Sequence, residues 1–303
     1  MIELAVSLFQ NIFLAFYNLG YAVSHPMEWL NWSDRTALVR FIYYGASSEF
    51  LFVVLVTIII VTVVGLWRRM FLWWVVRVLE GFSNGVGRLF AWAGLIMVLQ
   101  QIVIVFLQRI FRVSEISVGP FGYVVSKDLS WYAEELKLYN AIIVCLCCAY
   151  TFVQGGHVRV DLVYAGVRFR TKRVIDMLGS LFFILPVMSM IWMYGWFFLW
   201  RHLVTPKISA SDKLELLERK SRLLKWNVET IGFSPNGFDG YFLFKILLVG
   251  FAGMMFVQGV AFFYRSLLEF LEGEQSEGRF HDRDSLPDLT EHEQQASQHN
   301  GAA

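Results

Sequence analysis

Apolar residues do not alternate with polar ones in this chain. They come in long runs, and the polar residues gather at the ends of those runs. A helix needs about 20 mostly apolar residues to cross roughly 30 Å of hydrocarbon. Five runs qualify: Phe50 to Trp67, Leu89 to Phe111, Ala133 to Gln154, Val174 to Trp200 and Gly240 to Tyr264. In lipid a backbone must satisfy its own N–H and C=O groups, so each run is predicted to be helical. The first closes on Arg68 and Arg69. The second has no charge before Arg109 but carries Gln100 and Gln101 at its centre. The third opens with Glu134, Glu135 and Lys137. The fourth contains Pro186, which predicts a kink, and the fifth has Lys245 near its entry. A charge at the centre of a span costs about 2.5–3.5 kcal/mol. The charges are therefore expected at the helix ends, around an interior without them.

Three further segments are amphipathic. Met1 to Ser24 is apolar but broken by Glu3, Gln10, Asn11 and Asn18, and is expected to lie in the interface rather than to span. Arg68 to Arg88 reads as an interfacial helix with a glycine hinge at Gly81, Gly85 and Gly87. Ser211 to Trp226 sets Leu214, Leu217, Leu223 and Leu224 among charges, with Ser211 as a plausible N-cap. From Glu272 onward the chain is polar and acidic, a composition that favours disorder. The predicted fold class is an all-α integral membrane protein with about five transmembrane helices plus amphipathic interfacial helices. It divides into an N-terminal extension with one extra span (1–88), a four-helix membrane domain (89–271) with an amphipathic insertion at 204–239, and a tail (272–303).

Composition agrees. Hydrophobic residues make up 56% of the 303 and charged residues 17%, against about a quarter charged in soluble domains. Net charge is +1, which gives no footprint for nucleic acid. The three cysteines share one apolar run, so neither a disulfide framework nor a spaced zinc site is expected. No secretory signal is expected at the start, where Glu3 stands in place of a basic region. Arg68, Arg69, Arg77 and Arg88 fall on the same side of a five-span plan as Arg159, Arg168, Arg170, Lys172 and Arg173. That side should be cytoplasmic. The expected location is a bacterial inner membrane, multi-pass, with the C-terminus in the cytoplasm.

Candidate chemistry is sparse. In TFVQGGHVRVDLVY, His157 and Asp161 are four apart, a spacing that can put two ligands on one helix face. No HExxH or second cluster completes a metal site. The alternative reading is that Gly155 and Gly156 release a helix while His157 and Asp161 solvate the connection. Cys145, Cys147 and Cys148 read as small packing residues. The six histidines lie at span boundaries or in the tail, which disfavours haem held between helices. Gln100 and Gln101 seek an interhelical partner, in another subunit or in this chain. Gly250, Gly253 and Gly259 allow close packing of the last span. Glu134 and Glu135 complement a helix dipole, with Asp128 or Ser130 as a cap.

Taken in order, LSWYAEEL, an apolar span and GGHVRVDL resemble the signature of the small membrane subunit (DctQ-like) of tripartite ATP-independent periplasmic (TRAP) transporters. Trp131, Glu134, Glu135, Gly155, His157 and Asp161 carry that resemblance, which covers about Leu89 to Leu203 and, more loosely, Gly240 to Leu271. The chain departs from the family in its cysteine cluster, its long 201–240 connection and its N-terminal extension. The resemblance implies a non-enzymatic scaffold subunit of a sodium-coupled secondary transporter that imports a carboxylate-type organic solute. The implied partners are a large membrane permease subunit, a periplasmic substrate-binding protein and membrane phospholipids. It implies no cofactor, and no catalytic, cofactor-binding or metal residues. Trp131, Glu134, Glu135, Gly155, His157, Arg159, Asp161, Gln100 and Gln101 become candidates for partner or lipid docking. A different class, the membrane anchor of a haem- or quinone-linked redox complex, remains the alternative.

Overall fold

The computed structural model describes residues 2–118, 125–155, 166–232, 234–235 and 237–282. Five of its helices are long and apolar enough to cross a membrane, as the hydrophobic runs predict. They are α4 (Ser48–Trp67), α5 (Arg69–Arg109), α6 (Leu129–Val153), the joined α7 (Phe169–Gly179) and α8 (Leu185–Arg201), and α10 (Tyr241–Glu272). Ahead of them lie α1 (Ile2–Ser24), the single turn α2 (Met27–Leu30) and α3 (Arg35–Gly45); α9 (Leu214–Leu223) follows α8. Residues 115–118 (β1) pair antiparallel with 125–128 (β2), and 204–205 (β3) with 225–226 (β4). Neither ribbon is foreseen in the sequence.

The centre of the bundle is α10. Half of its most apolar stretch is buried inside the protein, against 6–17% in the other four spans. It packs against α5, α6, α7 and α8, and α5 in turn runs along α6. Glycines set the closest approaches. A Cβ on Gly87 of α5 would stand 2.1 Å from Cβ of Tyr150 on α6, and one on Gly259 of α10 would stand 2.7 Å from Cγ2 of Ile184. Ile184 ends a π-helical turn, Ser180–Ile184, that joins α7 to α8. Pro186 lies two residues beyond it. A proline lacks the N–H and its ring clashes with the carbonyl four residues back, here that of Phe182. The wider π turn accommodates that clash while keeping the helix running.

Two expectations about helix limits need correction. The glycine hinge at Gly81, Gly85 and Gly87 does not exist: α5 is one helix of 41 residues, about 61 Å at 1.5 Å per residue. Its buried positions Leu72, Trp73, Val76, Glu80, Ser83, Asn84 and Gly87 recur every three or four residues. Packing of that stripe on α10 holds the helix together through the glycines. The amphipathic insertion helix is shorter than expected. It begins at Leu214 behind Lys213, with no side-chain cap, and Ser211 is occupied with Ser209 instead (Oγ to Oγ 2.9 Å).

Candidate functional site

Two polar constellations sit at opposite ends of the bundle. The first is built on the opening turns of α6. Asp128 occupies the N-cap position with extended backbone but makes no side-chain capping bond. The next turn projects Trp131, Glu134 and Glu135. Glu134 accepts two hydrogen bonds from the connection before α10: Ser234 Oγ donates to Oε1 at 3.0 Å and the Phe238 N–H to Oε2 at 3.0 Å. Gly237 lies so close that a Cβ there would stand 1.9 Å from Glu134 Oε2. Trp131 donates from Nε1 to Asp239 Oδ1 at 3.3 Å, and its ring meets Phe238 edge-on at 5.2 Å. Lys127 Nζ lies 5.5 Å from the indole centroid. Glu135 turns to the neighbouring helix, where Gln100 Nε2 donates to Oε2 at 3.0 Å while Tyr139 donates to Oε1 at 3.2 Å.

These contacts give each residue a local task. Trp131 and Glu134 tie Ser234, Phe238 and Asp239 to α6. Glu135 and Gln100 join α6 to α5, and Gln100 also donates to the Tyr132 carbonyl at 3.3 Å. Of the two glutamines, Gln100 therefore bonds within this chain. Gln101 is exposed on the apolar face of α5, beside exposed Val98, Ile102 and Val105. Cys147 lies on the buried face of α6, its Sγ 3.4 Å from the Gly87 carbonyl, as a packing residue should. At the far end of α6, Gly155 has φ +73° and its N–H donates to the Phe152 carbonyl at 3.2 Å. This is the left-handed helix stop predicted for the double glycine. Gly156, His157, Arg159 and Asp161 lie outside the described residues.

The second constellation was not anticipated; it lies just beyond the apolar runs, toward the helix ends, and leaves the expected charge-free span interiors intact. Glu80 of α5 and Arg265 of α10 are both nearly fully buried and form a two-pronged pair. Arg265 Nε donates to Glu80 Oε1 at 2.7 Å and Nη2 donates to Oε2. The third nitrogen, Nη1, donates to the Arg279 carbonyl at 2.9 Å. Below it, buried Glu269 faces Arg173 of α7, with Oε2 2.7 Å from Nε. That contact is close but too poorly aligned for a hydrogen bond, so it acts as an ion pair. Arg173 also reaches Asp176 and Glu277. The row crosses three helices and continues into 273–282, which turns back over the helix ends. There Asp282 receives Asn84 and Arg88, and Phe280 packs on Trp73. The tail expected from Glu272 thus stays packed through Asp282.

Hydropathy missed this row because the apolar windows stop at Leu89 and Tyr264 while the helices do not. The available signal was the three-to-four-residue recurrence of Trp73, Val76, Glu80 and Asn84. It puts a carboxylate on the same face as apolar residues. Among the described residues, no group of three or more His, Cys, Asp or Glu side chains is placed to hold a metal ion.

The fold and both constellations define a multi-pass membrane protein whose polar side chains connect its own helices and connections. More specifically, residues 121–215 match the family of tripartite ATP-independent periplasmic transporters, DctQ component. The match covers about a third of the chain, and the family it points to is a component of TRAP transporters. The matched stretch contains Trp131, Glu134, Glu135 and Gly155 together with α6 and the α7–α8 helix. No curated protein and no solved structure matches the chain.

Proposed function

We propose that this chain is the scaffold subunit of a sodium-coupled TRAP transporter that imports a carboxylate-type organic solute. It works beside a large permease subunit that carries the solute and ion sites, and a periplasmic protein delivers the solute. The DctQ match over 121–215 carries this reading. The lateral surface supports it. Leu95, Leu99, Ile102, Val103 and Phe106 are exposed along α5, an apolar face suited to lipid or to another membrane subunit. Gln101 interrupts that face. An amide there gains about 0.6 kcal/mol, and up to about 1–2, from a partner on a neighbouring helix, so it marks where the permease docks. His157, Arg159 and Asp161 are proposed to tie the cytoplasmic connection to that partner or to lipid headgroups. Arg68, Arg69, Arg77, Arg88, Arg168, Arg170, Lys172 and Arg173 belong to the ends of α5 and α7 that meet the C-terminus of α10, which supports a cytoplasmic C-terminus.

The test is reconstitution in liposomes. With its permease, its binding protein and a sodium gradient, the complex accumulates an organic acid; the chain alone does not. Transport by the chain alone, or a haem spectrum in the purified chain, defeats the proposal.

A further inference from the structure

At the end of the bundle opposite the charged row, α3, the 224–226 segment and Val204 enclose a cleft of about 320 Å³. Its floor is apolar and buried: Leu38, Val204 and Leu224. Trp32 and Trp226 form part of its walls, both about half exposed and both held from behind. Trp32 rests on Phe41 with centroids 5.4 Å apart, and Trp226 on Trp200 at 6.1 Å. Ser33 and two cations, Arg35 and Lys225, complete the lining. The walls are tied together across the chain, since Arg35 Nη1 donates to the Arg222 carbonyl at 3.3 Å.

Among the described residues no acid lines the cleft, and the acids nearby have partners of their own. Asp34 is occupied by Thr36, whose N–H donates to Oδ1 at 3.1 Å and whose hydroxyl bonds Oδ2. Glu28 is paired with Arg40 at 2.7 Å. The cleft therefore combines a greasy floor, aromatic walls and a positive rim. Val204 follows Arg201, the last residue of α8, by three positions, so the cleft lies about one helical turn beyond the end of a span. Nearby Met27, Leu30 and Leu223 are exposed by 76%, 52% and 69%, which suits contact with a bilayer better than with water. Tryptophan at headgroup depth has the same preference.

We infer that this cleft binds the head of an anionic glycerophospholipid, with the phosphodiester on Arg35 and Lys225 and the glycerol backbone over Leu38, Val204 and Leu224. Bound there, one lipid molecule pins the N-terminal helices and the 204–229 insertion to the leaflet at this end of the bundle. The inference goes beyond the transporter reading and does not depend on it.

The experiment uses the full chain in a neutral detergent, titrated with dihexanoyl phosphatidylglycerol and read by native mass spectrometry. One lipid is expected to bind. Lys225→Glu, at an exposed position, should weaken binding at least tenfold while the helical circular dichroism is unchanged. Lys207→Glu, outside the cleft, should leave binding intact. Glycerol 3-phosphate should bind far more weakly than the lipid, because it gains nothing from the floor. Equal lipid binding by the Lys225→Glu variant overturns the inference. So does equal affinity for the zwitterionic phosphatidylcholine analogue. Glycerol 3-phosphate binding as tightly as the lipid would mean a site for soluble phosphates. Displacement of the lipid by an acidic peptide at equal concentration would mean a protein docking site.

Discussion

Replacing Glu80 by Gln removes one charge from the buried row and leaves its shape almost intact. Arg265 then keeps the Arg279 carbonyl at 2.9 Å, but its nearest remaining carboxylate is Glu269 at 3.9 Å from Nη1. Breaking a buried ion pair by removing one partner costs about 3–5 kcal/mol, because an uncompensated charge stays behind. Here the pair is two-pronged, nearly fully buried and backed by the Trp73 ring 5.6 Å from the guanidinium, so the upper half of that range is expected. One kcal/mol shifts the midpoint of domains of 150–250 residues by about 2–4 °C. For this larger chain the same scaling gives about 1.6 °C per kcal/mol, so a drop of about 6–8 °C follows in a detergent thermal melt followed by circular dichroism. Glu80→Leu combined with Arg265→Met removes both charges and should recover most of the loss, since an apolar pair of similar volume is often as stable as the ion pair. Glu28→Gln, at an exposed pair, sets the baseline at less than about 1 kcal/mol. If Glu80→Gln falls no further than Glu28→Gln, or if the double variant is worse than either single one, the row does not hold the helices as argued.

Gly87→Ala places a methyl 2.1 Å from Tyr150 Cβ; overpacking of this kind costs about 1–3 kcal/mol, and the same melt should show it, whereas Gly81→Ala, with nothing within 4 Å, should not. Glu134→Ala deletes both acceptors that hold Ser234 and Phe238, so amide exchange at Phe238 should accelerate markedly while exchange in α10 stays slow. Gln100→Leu should cost about 0.6–2 kcal/mol through the lost bond to Glu135, a small shift visible in a melt of the isolated chain. Hydrogen bonds from Thr36 hold the Asp34 carboxyl below its ordinary value. Its contribution to capping α3 is therefore fully present above the ordinary carboxylate value, about 3.9, and is lost as pH falls through the depressed folded value. Asp34→Asn should remove that part of the acid dependence in melts taken from pH 6 to pH 2.

The helices were legible in the sequence because lipid imposes a strong and local condition. Phe50 to Trp67 and Ala133 to Gln154 fall within a few residues of α4 and α6. Pro186 and Gly155 announced their backbone consequences, since each constrains its own dihedrals. The short ribbons were not legible. EISV and VSKD have no run long enough to show a period. Trp131, Glu134 and Glu135 could be singled out by residue type and order. Their partners Ser234, Phe238 and Asp239 lie 100 or more residues away, and no local pattern carries that pairing. Glu80 and Arg265 are separated by 185 positions, so the long-range row had to come from the fold.

The packing also changes what the N-terminal extension is. The sequence places residues 1–88 outside the resemblance, as if they were an addition to a self-sufficient four-helix unit. Yet Leu38, Val39 and Ile42 share a buried cluster with Trp196, Leu199 and Trp200 of α8. Trp196 donates its indole N–H to the Ile42 carbonyl at 2.9 Å, and Trp192 donates to the Gly45 carbonyl at 2.9 Å. Lower down, Tyr264 donates to the Ile58 carbonyl at 2.9 Å, and Leu72, Trp73 and Val76 pack on Val260 and Leu268. The helices α3 and α4, broken where Ser47 caps α4, are thus tied to α8 and α10 respectively. Each large apolar side chain buried there is worth about 1.5–3 kcal/mol. A chain cut back to 89–271 would lose those ties and would strand Arg265 without Glu80. The extension shares a core with α8, inside the stretch that matches the DctQ family.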